Sequence, residues 1–130
     1  MSIVSADHMV GILRNTMVAL VRRPGPDLTA RQLGVFLTCD LEAEAETVRS
    51  LAAELRVAKP ALTRALDRLA EFDLVRRKSD PSDRRSVLVQ RTAKGSALLR
   101  DVTKIMADAA TEMESKPTAP RRRSRGADVA

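Results

Sequence analysis

The 130-residue chain has no tryptophan and no tyrosine, and its only aromatic residues are Phe36 and Phe72. Proteins that bind single-stranded nucleic acid stack bases on aromatic rings, so this composition disfavours that class. The single cysteine, Cys39, cannot form an intramolecular disulfide. Because such cysteine usage is typical of reducing compartments, we expect a cytoplasmic protein, associated with the nucleoid if it binds DNA.

Residues that could carry catalysis are equally scarce. His8 is the only histidine, and no Ser/His/Asp set or zinc-ligand spacing can be assembled from it and Cys39. The five glycines are too sparse for a phosphate-binding loop. We predict that the chain is not an enzyme, that it has no cofactor and no metal site, and that His8 is a surface or partly packed side chain.

Long apolar runs are also missing. No segment approaches the roughly 18 consecutive apolar residues that a membrane-spanning helix needs. Asp7 and His8 interrupt the N-terminal region before any apolar run develops. We therefore expect neither a membrane segment nor a signal peptide.

Basic residues, by contrast, are abundant and concentrated. The chain has 23 Lys/Arg against 17 Asp/Glu, a net charge of +6, and an isoelectric point near 10.4. Residues 49–94 alone hold 12 of the Lys/Arg and 6 of the Asp/Glu, which accounts for the whole excess. This balance favours an anionic partner. The alternative is an amphipathic helical hairpin whose charges are simply solvated.

The basic stretch has a pattern of its own. Residues 48–55 predict a short helix, and residues 59–72 predict a second helix with Leu62, Leu66 and Leu69 on one face. Two short strands, 74–77 and 86–90, flank the polar turn KSDPSDRR. This order is typical of a winged helix-turn-helix, in a mainly α chain with a small β-hairpin wing.

The face of the second helix opposite the leucines is small, polar and basic. Small residues allow close approach to the DNA major groove, while Thr and Arg reach base edges and phosphates. An Arg-tipped hairpin beside the helix suits the narrow minor groove. Helix order, hairpin and charge together predict binding to double-stranded DNA. The candidate contacts on this helix are Lys59, Ala61, Thr63, Arg64, Asp67 and Arg68.

Arg68 has an alternative role, in which it pairs with Asp67 or Glu71 and only positions the helix. In the hairpin, a charge-assisted pair with Asp83 would preset the direction of Arg85, while Arg84 is the candidate phosphate contact. The two arginines could exchange these roles. Further phosphate contacts are expected from Thr47, Arg49, Ser50 and Lys94, with Thr47 also capping the first helix of the stretch.

Helices are predicted on both sides of this stretch. Residues 3–22 and 93–114 form amphipathic helices at the two ends, the second capped by Thr92. The sequence from Thr29 to Gln32 predicts a capping box for a helix running to about Cys39. Because the two terminal helices are more apolar than one small domain can bury, they suggest a dimer interface. We predict one domain over residues 1–114.

Residues 115–130 contain prolines and basic residues but no core residues, and they predict a disordered basic tail. An inert end and a non-specific grip on DNA phosphates are equally compatible with its composition. Cys39 is followed by acidic residues, whose charge raises a thiol pKa. We therefore expect a semi-buried structural cysteine rather than a redox sensor.

The run LAAELRVAKPALTRALDRLAEFDLVRR together with DRRSVLVQRTAKG resembles the winged helix of the MarR family of bacterial transcriptional regulators. The similarity extends more weakly over residues 3–114. Two positions depart from the family pattern, since Ala58 stands where a capping Ser or Asp is usual and Asp73 where a Gly usually ends the recognition helix. Losing a cap costs typically ~1 kcal/mol, which does not oppose the fold.

The resemblance implies a homodimer that binds a pseudo-palindromic site, most often as a repressor. It also implies that Arg85 enters the minor groove with Asp83 orienting it. Many members release DNA when a small-molecule effector enters a cleft between the dimer helices and the DNA-binding lobe. The residues expected to line that cleft here are Leu13, Met17, Phe36 and Leu98.

Two other functions are compatible with the sequence. In a protein-interaction module, the terminal helices would bind a partner and DNA binding would be weak and sequence-blind. In a non-specific architectural DNA binder, the basic tail would supply most of the binding.

Overall fold

A computed structural model describes residues 5–115 and contains five helices and three strands within that range. The strands form one antiparallel sheet in the order β1-β3-β2. The predicted fold class, mainly α with a small β wing, is confirmed. In chain order the elements are α1 (Ala6–Arg22), α2 (Ala30–Leu41), β1 (Glu46–Thr47), α3 (Val48–Leu55), α4 (Lys59–Glu71), β2 (Val75–Asp80), β3 (Asp83–Arg91) and α5 (Ala93–Ser115).

Threonine side chains start three of the helices. Thr29 and Gln32 form the predicted capping box of α2, and Thr47 forms a second box with Ser50 at the start of α3. The hydroxyl of Thr92 accepts a hydrogen bond from the amide of Gly95 at 2.9 Å. Each cap satisfies backbone N–H groups that a helix start leaves unpaired. These bonds are local, which is why the sequence alone predicts them.

The two helices of the helix-turn-helix end in left-handed residues. Asp73 has a φ of 58°, and Arg56, after α3, has a φ of 53°. At the end of α4 the amide of Leu74 bonds to the carbonyl of Leu69 and that of Asp73 to the carbonyl of Ala70. This is a Schellman motif formed with Asp in the position where glycine is usual. As predicted, the side chain of Ala58 gives α4 no N-terminal cap.

The core lies between α2, α3, α4 and the sheet. Phe36, Leu51, Leu62, Leu66 and Leu69 are fully buried in it, and the leucine stripe of α4 is its central element. Because the stripe recurs at helical period, burying it turns the opposite face of α4 outward. That outward face is the one predicted to meet DNA.

The terminal helices pack against each other in antiparallel fashion. Gly11 of α1 lies against the side chain of Met113 near the end of α5, and Arg23, just after α1, forms a 2.8 Å ion pair with Asp101. The outer side of α1 stays exposed, with four large apolar side chains: Met9, Val10, Leu13 and Val21. Within residues 5–115, no helix is long and apolar enough to cross a membrane.

Several predicted boundaries were wrong. The hairpin strands are longer than expected, so that only Pro81 and Ser82 remain between them. Strand β1 was not predicted, and α2 ends at Leu41, two residues beyond the predicted end near Cys39. Ser115, assigned to the tail by its sequence, is the last residue of α5, and residues 1–4 and the predicted tail from 116 onward lie outside the described residues.

Gly95 in the first turn of α5 has no room for a side chain. A Cβ there would lie 2.5 Å from the carbonyl oxygen of Leu74 and 3.3 Å from the ring of Phe36. We predict that Gly95→Ala lowers the free energy of unfolding by about 1–3 kcal/mol, the range for overpacked cores. Urea denaturation of both proteins measures the difference.

Gly34, inside α2, provides the matched control because a Cβ built there meets nothing within 4 Å. Gly34→Ala should instead raise stability by roughly 0.5–1 kcal/mol through helix propensity. Equal effects of the two substitutions would contradict the proposed contact at Gly95.

Candidate nucleic-acid interface

The outward face of α4 carries the side chains predicted for it. Lys59, Arg64, Asp67 and Arg68 are exposed, and Ala61 and Thr63 are half-buried at the edges of the face. Pro60 occupies the first turn of the helix, where the missing N–H has no intrahelical partner to lose. The helix therefore presents a narrow surface with two small side chains and three cations.

Arg68 is held by its neighbours on the helix. Its guanidinium forms a 2.9 Å ion pair with Glu71 and lies 4.6 Å from the centre of the Phe72 ring. The alternative prediction, that Arg68 pairs with Glu71 and positions the helix, describes this arrangement. Among residues 5–115, Lys59 and Arg64 form no ion pair, so their charges remain open to a phosphate or a base.

Asp67 does not pair with Arg68. Its carboxylate forms an ion pair with the guanidinium of Arg77 in β2, with the two charged groups 2.6 Å apart. Arg77 was not among the residues predicted for this surface, because Asp67 and Arg77 lie on different elements and no spacing rule relates them. The ion pair joins the predicted recognition helix to the hairpin formed by β2 and β3, which we call the wing hairpin.

A β-bulge places the basic residues of the wing hairpin. Ser79 pairs with Val87 and Asp80 with Asp83, so Arg84, Arg85 and Ser86 have no partner residue on β2. Bulges redirect side chains away from the regular sheet faces. Both arginines are exposed, and neither forms an ion pair with any described residue. They lie in a strand beside the turn rather than in an irregular tip.

Asp83 organises this bulge through the backbone. One carboxylate oxygen accepts from the amide of Arg85 and the other from the hydroxyl of Ser86, both at 3.1 Å. The predicted ion pair between the Asp83 carboxylate and the Arg85 guanidinium is absent, and the carboxylate accepts from the Arg85 amide and the Ser86 hydroxyl instead. Its orienting effect on Arg85 therefore acts on the main chain.

Asp80 shapes the turn in the same way. It accepts hydrogen bonds from the amide and the hydroxyl of Ser82, at 3.0 and 2.8 Å. These donors lower the pKa of the Asp80 carboxyl, because they stabilise its charged form.

The predicted phosphate contacts differ in availability. Arg49 and Lys94 are exposed, and Arg49 lies in the first turn of α3. The hydroxyls of Thr47 and Ser50 already bond within the capping box, and the Ser50 hydroxyl also lies 3.4 Å from a carboxylate oxygen of Glu46. The amides of Thr47 and Ser50 also donate within this box, so a phosphate donor at this helix start would have to be another backbone amide.

A cleft of about 210 Å³ lies between the terminal helices and the start of α2. Met17 and Leu98 line it as predicted, whereas Phe36 is 0% exposed in the core and Leu13 is 59% exposed on the outer side of α1. Helical periodicity identified these as apolar positions but did not show which way each one faces. The remaining lining residues are Leu20, Val21, Arg23, Gly25, Pro26, Asp27, Leu28, Leu33, Leu74, Lys94, Ala97, Asp101 and Val102.

Cys39 is buried at the end of α2, away from the wing hairpin's tip. Burial, together with the charges of Asp40, Glu46 and Glu54, raises the pKa of its thiol to about 12. A thiol with this pKa is protonated at neutral pH and is a poor nucleophile. The structure thus agrees with the prediction of a structural cysteine.

Acidic groups converge near this cysteine. The carboxylates of Glu42, Glu46 and Glu54 lie within 4.8 Å of one another, and burial, with the hydrogen bond to Glu54, raises the pKa of Glu46. Asp40 is only 3% exposed, and neither of its carboxylate oxygens has a hydrogen-bond partner among the described residues. Burial raises the pKa of Asp40, against the opposing charge of Arg91.

Comparison with known proteins shows which family this chain resembles. A family model described as the MarR family matches residues 28–87, which run from the start of α2 into the wing hairpin. A search of curated proteins found no match.

Solved structures match over most of the chain. A mutant MarR from E. coli is 28% identical with a TM-score of 0.64, over 92% of this chain and 89% of that one. The same protein complexed with operator DNA is 29% identical with a TM-score of 0.62, over 87% and 76% of the two chains. CouR, described as a transcriptional repressor bound to a 23-mer DNA duplex, is 27% identical with a TM-score of 0.64, over 85% and 75%.

We predict that Arg85→Ala weakens binding to a specific duplex by about 1–3 kcal/mol, because this exposed guanidinium has no ion-pair partner among the described residues. Titration of a fluorescent duplex at fixed salt measures the loss. Arg100→Ala, which removes an exposed arginine from α5, is the matched control for net charge. Equal losses in both variants would show that only overall charge matters.

We also predict that Asp40 makes stability depend on pH. Its raised folded-state pKa means that the folded chain holds this proton more tightly than the unfolded chain does. Its contribution is therefore present below its ordinary pKa and is lost as pH rises through the folded-state value. Asp40→Asn should flatten the fall in unfolding free energy that sets in as pH rises above the ordinary aspartate pKa of about 4, measured by urea denaturation.

Asp108→Asn, which removes an exposed carboxyl of α5, is the control and should leave the pH dependence as in the wild type. Parallel curves for the wild type and Asp40→Asn would contradict the burial argument.

Proposed function

Because the chain belongs to the MarR family of DNA-binding transcriptional regulators, and not to a family of enzymes, we propose that it acts as a homodimeric repressor on a pseudo-palindromic DNA site. One observation carries the proposal. The polar face of α4 and the unpaired arginines of the wing hairpin are carried by elements that share one core, built on the buried leucine stripe. The related structures of MarR and CouR that contain DNA support it.

In this proposal α4 lies in the major groove. Thr63 and Arg64 contact base edges or phosphates, and Lys59 and Arg68 lie at the edges of the contact. Small residues such as Ala61 allow the helix to approach closely.

The wing hairpin reaches the flanking minor groove. Arg85 enters the groove and Arg84 contacts a phosphate, with Asp83 holding the backbone that carries them. Arg49, Lys94 and the backbone amides after Thr47 bind phosphates beside the major groove.

A second copy of the chain would cover the exposed side of α1. Met9, Val10 and Leu13 form an apolar surface there, and Met106 of α5 is exposed as well. Large exposed apolar surfaces mark interaction sites. Two-fold pairing through the terminal helices would place the half-sites about one helical turn apart, ~34–36 Å.

The cleft between the terminal helices and α2 is the proposed effector site. Its wall is apolar, with Arg23, Lys94 and Asp101 among its charged residues. A small apolar molecule bound there would contact both α5 and the start of α2, and could change the angle between the dimer helices and the DNA-binding lobe. Occlusion of the polymerase by the bound dimer is the proposed mode of repression.

Selection of bound sequences from random duplex DNA at near-physiological salt tests this proposal. We expect recovery of a two-fold symmetric motif, because a symmetric dimer presents two identical reading units. Sequencing of the bound pool gives the result. Recovery of no motif, with binding that vanishes as salt rises, would instead support the architectural binder or the protein-interaction module.

A further inference from the structure

We propose that Asp67 is a positioning residue whose ion pair with Arg77 sets the angle between the recognition helix and the wing hairpin. The proposal rests on the proposed function, since it concerns how one chain reads a specific site. It assigns Asp67 and Arg77 a joint role in sequence discrimination, in place of the direct DNA contact predicted for Asp67.

Asp67 lies within the face that would meet DNA. It follows Thr63 by four residues and Arg64 by three, so the three side chains share one side of α4. Its side chain is 52% exposed, and its carboxylate is 2.6 Å from the Arg77 guanidinium. An unpaired carboxylate at this place would repel the phosphates of a bound duplex. The pair neutralises that charge.

Arg77, the other member of the ion pair, is anchored in strand β2. Side chains alternate along β2, so Arg77 shares a sheet face with the buried Val75, and its partner residue across the sheet is the buried Val89. Its side chain is 33% exposed, with the stem held at the edge of the core. The guanidinium therefore reaches α4 from a strand whose inner face belongs to the core.

No other contact of this kind joins α4 and the wing hairpin in the described part of the chain. Among residues 5–115 it is the only side-chain ion pair or hydrogen bond between α4 and the wing hairpin. Apolar packing through Leu69 and Val75 joins the two elements at the base of the hairpin. The ion pair lies further along the hairpin, where it resists swinging of the arm that carries Arg84 and Arg85.

The angle matters because the two elements read different grooves. If α4 is seated in the major groove, Arg85 meets the adjacent minor groove only when the hairpin is held at a matching inclination. A looser hairpin still binds phosphates but fits more DNA shapes. Loss of the pair should therefore reduce discrimination between sites more than it reduces overall attraction to DNA.

Three variants test this: Asp67→Asn, Arg77→Gln and the two combined. The first raises the net charge by one, the second lowers it by one, and the combination restores the wild-type charge. Affinity is measured for the duplex recovered by selection and for a scrambled duplex of the same composition. We expect the ratio of the two affinities to fall about 2- to 5-fold, the scale of a partly exposed ion pair.

The combined variant should lose no more discrimination than either single variant, because both substitutions break the same contact. If charge alone mattered, the combined variant would regain the wild-type ratio, and the inference would be overturned. If Asp67 read a base directly, Asp67→Asn would change the preference at one base pair and the two losses would multiply, which would overturn it as well.

A measurement without DNA separates this inference from the proposed function. Hydrogen exchange of the backbone amides in β2 and β3 should become faster in Asp67→Asn, with an unchanged circular dichroism spectrum. Arg68→Gln combined with Glu71→Gln removes an ion pair of the same helix that does not touch the hairpin, and should leave that exchange unchanged.

Unaltered hairpin exchange in Asp67→Asn would overturn the inference whatever DNA the protein binds. If the wild type itself failed to prefer any duplex, the proposed function would be wrong, while faster exchange in the variant would still support the mechanical role of the pair.

Discussion

Burial of the leucine stripe on α4 is the contact on which the rest of the molecule depends. Leu62, Leu66 and Leu69 are fully buried between α2, α3 and the sheet. Removing such side chains from water stabilises the fold by roughly 1.5–3 kcal/mol each. The same burial fixes the rotation of the helix about its axis, so that the polar face is presented as a consequence of core packing.

Aspartates play an unusual part for a basic protein. Asp73 ends the recognition helix in a left-handed conformation, Asp80 closes the hairpin turn, and Asp83 holds the bulge. In each case a short side chain or its tolerance of positive φ shapes the backbone. These aspartates thus fix the backbone conformation of a surface whose positive charge comes from arginine and lysine.

Local features of the fold could be predicted from the sequence. The capping boxes, the helix starts and the alternative role of Arg68 follow from residues three or four positions apart. The two-residue strand β1, the bulge beside Arg84 and the ion pair of Asp67 with Arg77 could not, because each depends on elements that only the folded chain brings together. Phe36 was misplaced in the cleft for a related reason, since periodicity marks a residue as inward without saying what it faces.

The antiparallel pairing of α1 with α5 has a consequence for synthesis of the protein. Arg23 and Asp101 are 78 residues apart, and the winged helix lies between them. At about 5–20 residues per second, α1 leaves the ribosome on the order of 4–16 s before the part of α5 that it contacts. During that interval the winged helix can fold first, because its contacts are closer in sequence. The side of α1 that later packs against α5 is then exposed and accessible to chaperones.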